Sequence, residues 1–244
     1  MDEFSMVYDD WMVFEKINIE KTYVAKEIAL LAQIKYPRDM SVEFDEKFDY
    51  LYDKSLATHQ KLAMMMYAQS MLLKVRSDFE STQNMTLPAL YGQGKTKILF
   101  YFESMIVFAR NALDVAASAY SDLLYKRTDS FNKFVKWVKN CGDSELEELK
   151  QFYSSCEENQ MSALRLLCGQ EKGRALRDII IHQANVRMEY HKYKENSERE
   201  HLFLEIANKE PIDIDYFVSH FTQEVIEILE MTNVCCKKKL LSNK

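Results

Sequence analysis

The chain has 244 residues, 47% of them apolar, which is enough for one large or two small domains with a proper core and too apolar for a disordered chain. Its net charge of −6 excludes a strongly basic nucleic-acid coat, although an acidic protein can still carry a local basic site. Glycine occurs 5 times and proline 3 times, 8 residues in 244 or about 3%, against about 12% in ordinary domains; so few breakers exclude a sheet-rich fold and imply an all-α bundle.

The first helix is predicted over Asp10 to Ile34, ending before Pro37 because the residue ahead of a proline avoids the helical region. A second pattern runs from Val42 to Phe79, with room for one break. It contains "LAMMMYAQSMLL", read as flexible core filling by methionine. A loop, "STQNMTLPALYGQGKT", follows. Next comes the clearest helix. Leu99, Phe102, Ile106, Ala109, Leu113, Ala116 and Tyr120 recur at steps of three and four, one apolar stripe. Asp129 is placed to cap a short helix whose apolar face is Phe131, Phe134, Val135 and Val138. Ser144 and Glu147 form a capping-box pattern that opens a helix to about Leu167. After "GRALRDIIIHQ" the period changes. "VRMEYHKY" and "HLFLEIAN" alternate and flank a polar run, which predicts a small β-hairpin near 186–208. Pro211 and Asp213 introduce a last helix carrying Tyr216, Phe217, Phe221, Val225, Ile228 and Leu229. Its terminal "KKKLLSNK" reads as a frayed, solvated end. The organisation expected is a helical extension over 1–90 packed on a bundle over 91–244.

Several chemistries are weighed and set aside. The five cysteines, Cys141, Cys156, Cys168, Cys235 and Cys236, are odd in number and form no CxxC pair, so neither a disulfide framework nor a zinc site follows. Reduced thiols fit a cytoplasmic protein. The acidic start lacks a signal-peptide pattern, and no apolar run approaches membrane-spanning length, so no membrane association is expected. "ALYGQGKT" fits a relaxed phosphate-loop pattern, but what precedes it is polar and holds Pro88 where a buried strand is needed. Glu198 and His201 make the one Glu-x-x-His pair, and a di-iron bundle requires two, so no metal or other cofactor is predicted.

The remaining handle is "GRALRDIIIHQANVR", from Gly173 to Arg187. On a helix of about 100° per residue, Leu176, Ile179 and Ile180 share one side. Arg174, Asn185, Asp178 and His182 all fall within about 140° of Arg177 on the other. Asp178 stands four residues from both Arg174 and His182, where it can fix one imidazole tautomer. Arginine suits bidentate contact with phosphate, and histidine exchanges protons near neutral pH. Arg177 and His182 therefore make a minimal phosphodiester-cleaving pair. A solvated face of ion pairs is the plainer reading of the same spacing.

"RDIIIH", Arg177 to His182, resembles the Arg-x4–6-His signature of HEPN domains, with a polar residue after the arginine. The resemblance covers about 95–231 and does not extend to the first 90 residues. It implies a helical bundle and a metal-independent endoribonuclease of the kind found in toxin–antitoxin and phage-defence systems. In that reading His182 is general acid or base, Arg177 stabilises the phosphorane, Asp178 orients the imidazole, and Arg174 and Asn185 contact substrate. The resemblance also implies a homodimer that pairs two motifs, an RNA substrate and an antitoxin protein as partner. The alternative reading is a non-catalytic helical module that binds nucleic acid, nucleotide or protein.

Overall fold

The computed structural model describes residues 23–36, 42–81, 94–125, 127–159, 161–169, 175–182, 187–191, 201–205 and 211–242; for 42–45, 78–81, 177, 181–182, 187–191 and 201 it describes the backbone alone. After a 3-10 turn at Tyr23–Ala25 the helices are α1 (Lys26–Lys35), α2 (Val42–Ser81), α3 (Lys95–Leu124), α4 (Phe131–Asn140), α5 (Glu147–Glu158), α6 (Ala163–Cys168) and α7 (Leu176–His182). Strands β1 (Arg187–His191), β2 (His201–Glu205) and β3 (Ile212–Asp213) come next, and α8 (Ile214–Ser242) closes the chain. The fold is an all-α bundle with one small antiparallel sheet.

Helix α3 is the spine. Its stripe of Phe102, Ile106, Ala109, Leu113, Ala116 and Tyr120 is buried, as the spacing predicts, with Ile98 buried beside a half-buried Leu99. Small residues at Ala109, Ala112, Ala116, Ala117 and Ala119 allow close approach of neighbours, and α2 lies along α3. Helix α2 is unbroken. Met65 and Met66 fill core space, while Met64 is exposed, so the methionine run is only partly core. One continuous apolar cluster runs from Val24 in the 3-10 turn to Leu240 in α8, and includes α1 and α2 residues along with the rest.

Several helix ends differ from their sequence signals, and at two of them a side chain from a distant element takes the free amide. Asp129 does not cap α4. Its carboxylate pairs with Lys133 at 3.0 Å, and the Phe131 amide instead donates to Asp114 Oδ1 of α3 at 2.8 Å. The helix expected from Ser144 to Leu167 divides in two. Asp143, not Ser144, accepts the first amide, from Glu145 at 3.1 Å, and opens a 3-10 turn. The chain then breaks at Asn159, and Ser162 restarts it by accepting from the Arg165 amide at 3.2 Å. Glu224 of α8 takes the Ala163 amide at 2.6 Å. At the other end of α6, Gly169 adopts φ 72°, a left-handed conformation that glycine tolerates without strain.

The C-terminal segment is anchored instead of frayed. Lys239 meets Asp143 at 2.8 Å, Lys238 meets Glu148, and Leu240 is buried. The first helix is described from Lys26 to Lys35, and the expected residues 10–22 lie outside the described set. Lys35 donates to the carbonyls of Asp122 (2.9 Å) and Leu123, capping the end of α3.

The hairpin forms where the alternation places it, with Met188 opposite Leu204 and Tyr190 opposite Leu202. Leu202 and Leu204 point inward while Phe203 and Glu205 are half-exposed, the period of two expected for one covered face. A third, two-residue strand adds to it, pairing Leu204 with Ile212. Asp213 then accepts from the amides of Asp215 (2.9 Å) and Tyr216 (3.2 Å), starting α8 as the sequence predicts.

Candidate active site

Helix α7 is seven residues long and is held by its apolar side. Leu176 is 2% exposed, Ile179 8% and Ile180 9%, and the element packs against α3 and α6. Ile179 and Ile180 thus lie in the core, as their spacing predicts. The amides of Asp178 and Ile179 donate to the Ala175 carbonyl at 3.0 and 3.1 Å, closing the first turn.

Burial of 176, 179 and 180 fixes the rotation of the short helix. Positions 177, 178 and 182 lie around the remaining sector, and Asp178 is half-buried there. The side chains of Arg177 and His182 lie outside the described set, as do Arg174 and Asn185 altogether. The backbone therefore carries Arg177, Asp178 and His182 on one helix in the expected register.

The two helices that α7 packs against are joined by a polar hub that the sequence reading missed. Arg110, on α3, is 11% exposed and pairs with Asp114 Oδ2 at 2.9 Å. Its Nη1 donates to the Leu167 carbonyl at 2.8 Å, to Asn132 Oδ1 at 3.0 Å and to Cys168 Sγ at 3.3 Å. Asn132 Nδ2 in turn donates to the Cys168 carbonyl at 3.0 Å. One guanidinium thus fastens the start of α4 and the end of α6 to α3, and α7 lies against both α3 and α6. Burial pushes the Cys168 thiol up to about 12, so it stands in the hub as an uncharged acceptor. The only sequence signal was an Arg and an Asp four apart within an apolar helix, which also describes any surface ion pair.

Compared with known protein families, curated proteins and solved structures, the chain matches none of them.

Among the described residues no three histidine, cysteine or acidic side chains gather as a metal site requires. The five cysteines are free thiols, and burial raises Cys156 to about 11 and lifts Cys236 further still. His220 is exposed, stacks on Tyr216 at 4.2 Å and lies 2.9 Å from its carbonyl. His59 is half-buried, and its Nδ1 is shielded and meets no hydrogen-bond partner among the described residues. His191 and His201 have undescribed side chains, and Glu198 lies outside the described residues. Of "ALYGQGKT", 89–93 lie outside them too, and Lys95 and Thr96 simply open α3. No helix of the described residues is long and apolar enough to cross a membrane.

Proposed function

We propose that this chain is a metal-independent endoribonuclease of the HEPN type, and that two copies pair to complete the site. The observation that carries the reading is the fixed rotation of α7. With Leu176, Ile179 and Ile180 in the core, Arg177, Asp178 and His182 are left to one sector of a helix anchored on α3 and α6. The hub at Arg110 supports it further, because a rigid footing is what a catalytic pair needs.

In this mechanism the RNA 2′-oxygen attacks the adjacent phosphorus. A His182 imidazole takes the 2′-hydroxyl proton as the new O–P bond forms. The P–O5′ bond breaks, and the imidazolium of the second copy's motif returns a proton to the departing 5′-oxygen. Arg177 faces the charge that builds on the phosphorane oxygens. Asp178 holds His182 in one tautomer. The products carry a 2′,3′-cyclic phosphate and a 5′-hydroxyl. A closed two-fold dimer brings two such sectors together. A cytoplasmic setting, a role in toxin–antitoxin or phage defence, and an antitoxin that covers the site belong to the same reading.

The test is cleavage of a labelled RNA by the full chain in EDTA, with DNA of the same sequence as control. Cutting that leaves cyclic phosphate ends is expected, with DNA untouched. His182→Ala and Arg177→Ala should each lose about 10²-fold or more. No cutting in any buffer, or a His182→Ala variant as fast as the parent, overturns the proposal, and RNA bound but uncut would leave a binding module in its place.

A further inference from the structure

Away from α7, the end of α3, the connection after it and the outer side of α4 enclose a cleft of about 190 Å³, lined by Ser121, Tyr125, Arg127, Thr128, Lys133, Phe134 and Trp137. One wall is aromatic. Tyr125 and Trp137 stack at 5.0 Å with only 14° between their planes, and Phe134 lies 6.0 Å from Trp137. Tyr125 is 64% exposed, so its outer ring face is open to a ligand.

The polar groups are uneven in a way that points to a ligand. Ser121 Oγ is in use, donating to the Ser118 carbonyl and accepting the Thr128 amide at 2.8 Å. Thr128 Oγ1 is closed off from solvent and meets no hydrogen-bond partner among the described residues. A buried hydroxyl without a partner is unfavourable, and a ring heteroatom in the cleft would relieve it. Two cations border the same space. The Arg127 guanidinium is spread over the Tyr50 ring, 4.3 Å from its centroid, and so is held in place before any ligand arrives. Lys133 is paired with Asp129, but that pair is exposed, 69% and 86%, and an anion exchanges for it at little cost.

From this geometry we infer that the cleft binds a nucleobase together with its phosphate. The base stacks on the Tyr125–Trp137 wall, its edge bonds Thr128, and Arg127 and Lys133 take the phosphate. Stacking on aromatic side chains is indifferent to base identity, because every base has a π-face. Arginine and lysine read phosphate as fork and point charge. The cleft is smaller than the ~300–1,000 Å³ of drug-sized sites, so it takes a single base. The site shares no residue with the α7 motif and does not depend on the ribonuclease reading.

The chain has two tryptophans, Trp11 and Trp137. In a Trp11→Phe, His182→Ala protein, Trp137 is therefore the sole indole and any RNA stays uncut. Its emission is titrated with AMP, UMP, adenosine, inorganic phosphate and an oligoribonucleotide about eight residues long. Saturable quenching by AMP and UMP with Kd below about 1 mM is expected. Adenosine should bind about 10-fold more weakly, and phosphate alone should not quench. Tyr125→Ala and Arg127→Ala, both at exposed positions, should each weaken binding about 10-fold, and Tyr125→Phe should restore it. An oligonucleotide far tighter than AMP assigns the base to an RNA strand, and equal affinities assign it to a free nucleotide. Absence of saturable quenching by any base-bearing probe, or affinity unmoved by Tyr125→Ala and Arg127→Ala, overturns the assignment.

Discussion

Arg110→Met is the sharpest test of how the bundle is held. The variant keeps most of the apolar stem and removes the guanidinium. Asp114 then loses its 2.9 Å partner, the Leu167 carbonyl its 2.8 Å donor and Asn132 its 3.0 Å donor. Removing one member of a buried pair costs about 3–5 kcal/mol, because the other is left uncompensated. Asp114 is 28% exposed and keeps the Phe131 amide, so the lower end applies, about 3 kcal/mol. That is a large share of the ~5–15 kcal/mol that holds a domain folded. In a protein of this size it lowers Tm by about 6–12 °C. Urea unfolding followed by circular dichroism measures the loss directly. Arg110→Lys should recover little, since an ammonium offers no fork to span Asp114 and the Leu167 carbonyl together. Adding Asp114→Asn to Arg110→Met should be less damaging than the two single losses summed, because no lone carboxylate remains. Stability of Arg110→Met within about 1 kcal/mol of the parent, or strict additivity in the double variant, would refute the account of Arg110 as a hub.

Ile180→Asp puts an unpaired charge beneath α7 and should abolish cooperative unfolding, seen by calorimetry as a lost transition. Tyr120→Phe should cost about 1–3 kcal/mol, because it strips the 2.8 Å donor from Asn233 Oδ1 at a buried site, whereas Tyr153→Phe should cost less. The difference arises because Thr232 keeps its 2.6 Å bond to the Ile228 carbonyl after Tyr153 is lost, and paired urea titrations will rank the two. Burial is the chief cause that raises the Glu224 carboxyl from its ordinary value. A raised folded pKa means that the folded state holds its proton more tightly, so this group's contribution falls as pH climbs through and above the usual ~4.3. Glu224→Gln should therefore gain on the parent at neutral pH and lose that advantage as pH drops below the window. A pH-independent difference between the two proteins would contradict it.

Much of the fold was legible because helical stripes are written locally. The α3 stripe, the face of α4 and the hairpin alternation all depend on residues within a few positions of one another. Several of the ends were not legible, and the reason is physical. Helix termini need partners for their free amides and carbonyls, and any nearby side chain will serve. Here the α4 amide at Phe131 is taken by Asp114, the α6 amide at Ala163 by Glu224, and the last α3 carbonyls by Lys35. Glu224 is 61 residues from the amide it caps and Lys35 is 87 from its carbonyl, distances no local pattern can register. The same holds for "KKKLLSNK". Three lysines in a row read as a solvated end, yet Asp143 and Glu148 of a remote turn and helix receive two of them.

The candidate site divides along the same line. Burial of Leu176, Ile179 and Ile180 was legible, because three apolar residues at helical spacing admit only one inward side. What stands behind that helix was not. Arg110 and Asp114, four apart, carry the signature of an exposed ion pair, and only the convergence of α4 and α6 on that part of α3 turns the pair inward. The cleft was invisible for a related reason. Tyr125, Arg127 and Thr128 sit where α3 has ended, outside any periodic pattern, and they meet Lys133, Phe134 and Trp137 only because the chain reverses between the two helices. Ser130 links these regions, its Oγ 3.4 Å from Arg110 Nη2 and its position just before the first turn of α4. The footing of α7, the start of α4 and the connection bordering the cleft thus share one guanidinium on α3. A helix that reads as an ordinary core element is therefore the part of the molecule on which both proposed sites depend for their geometry.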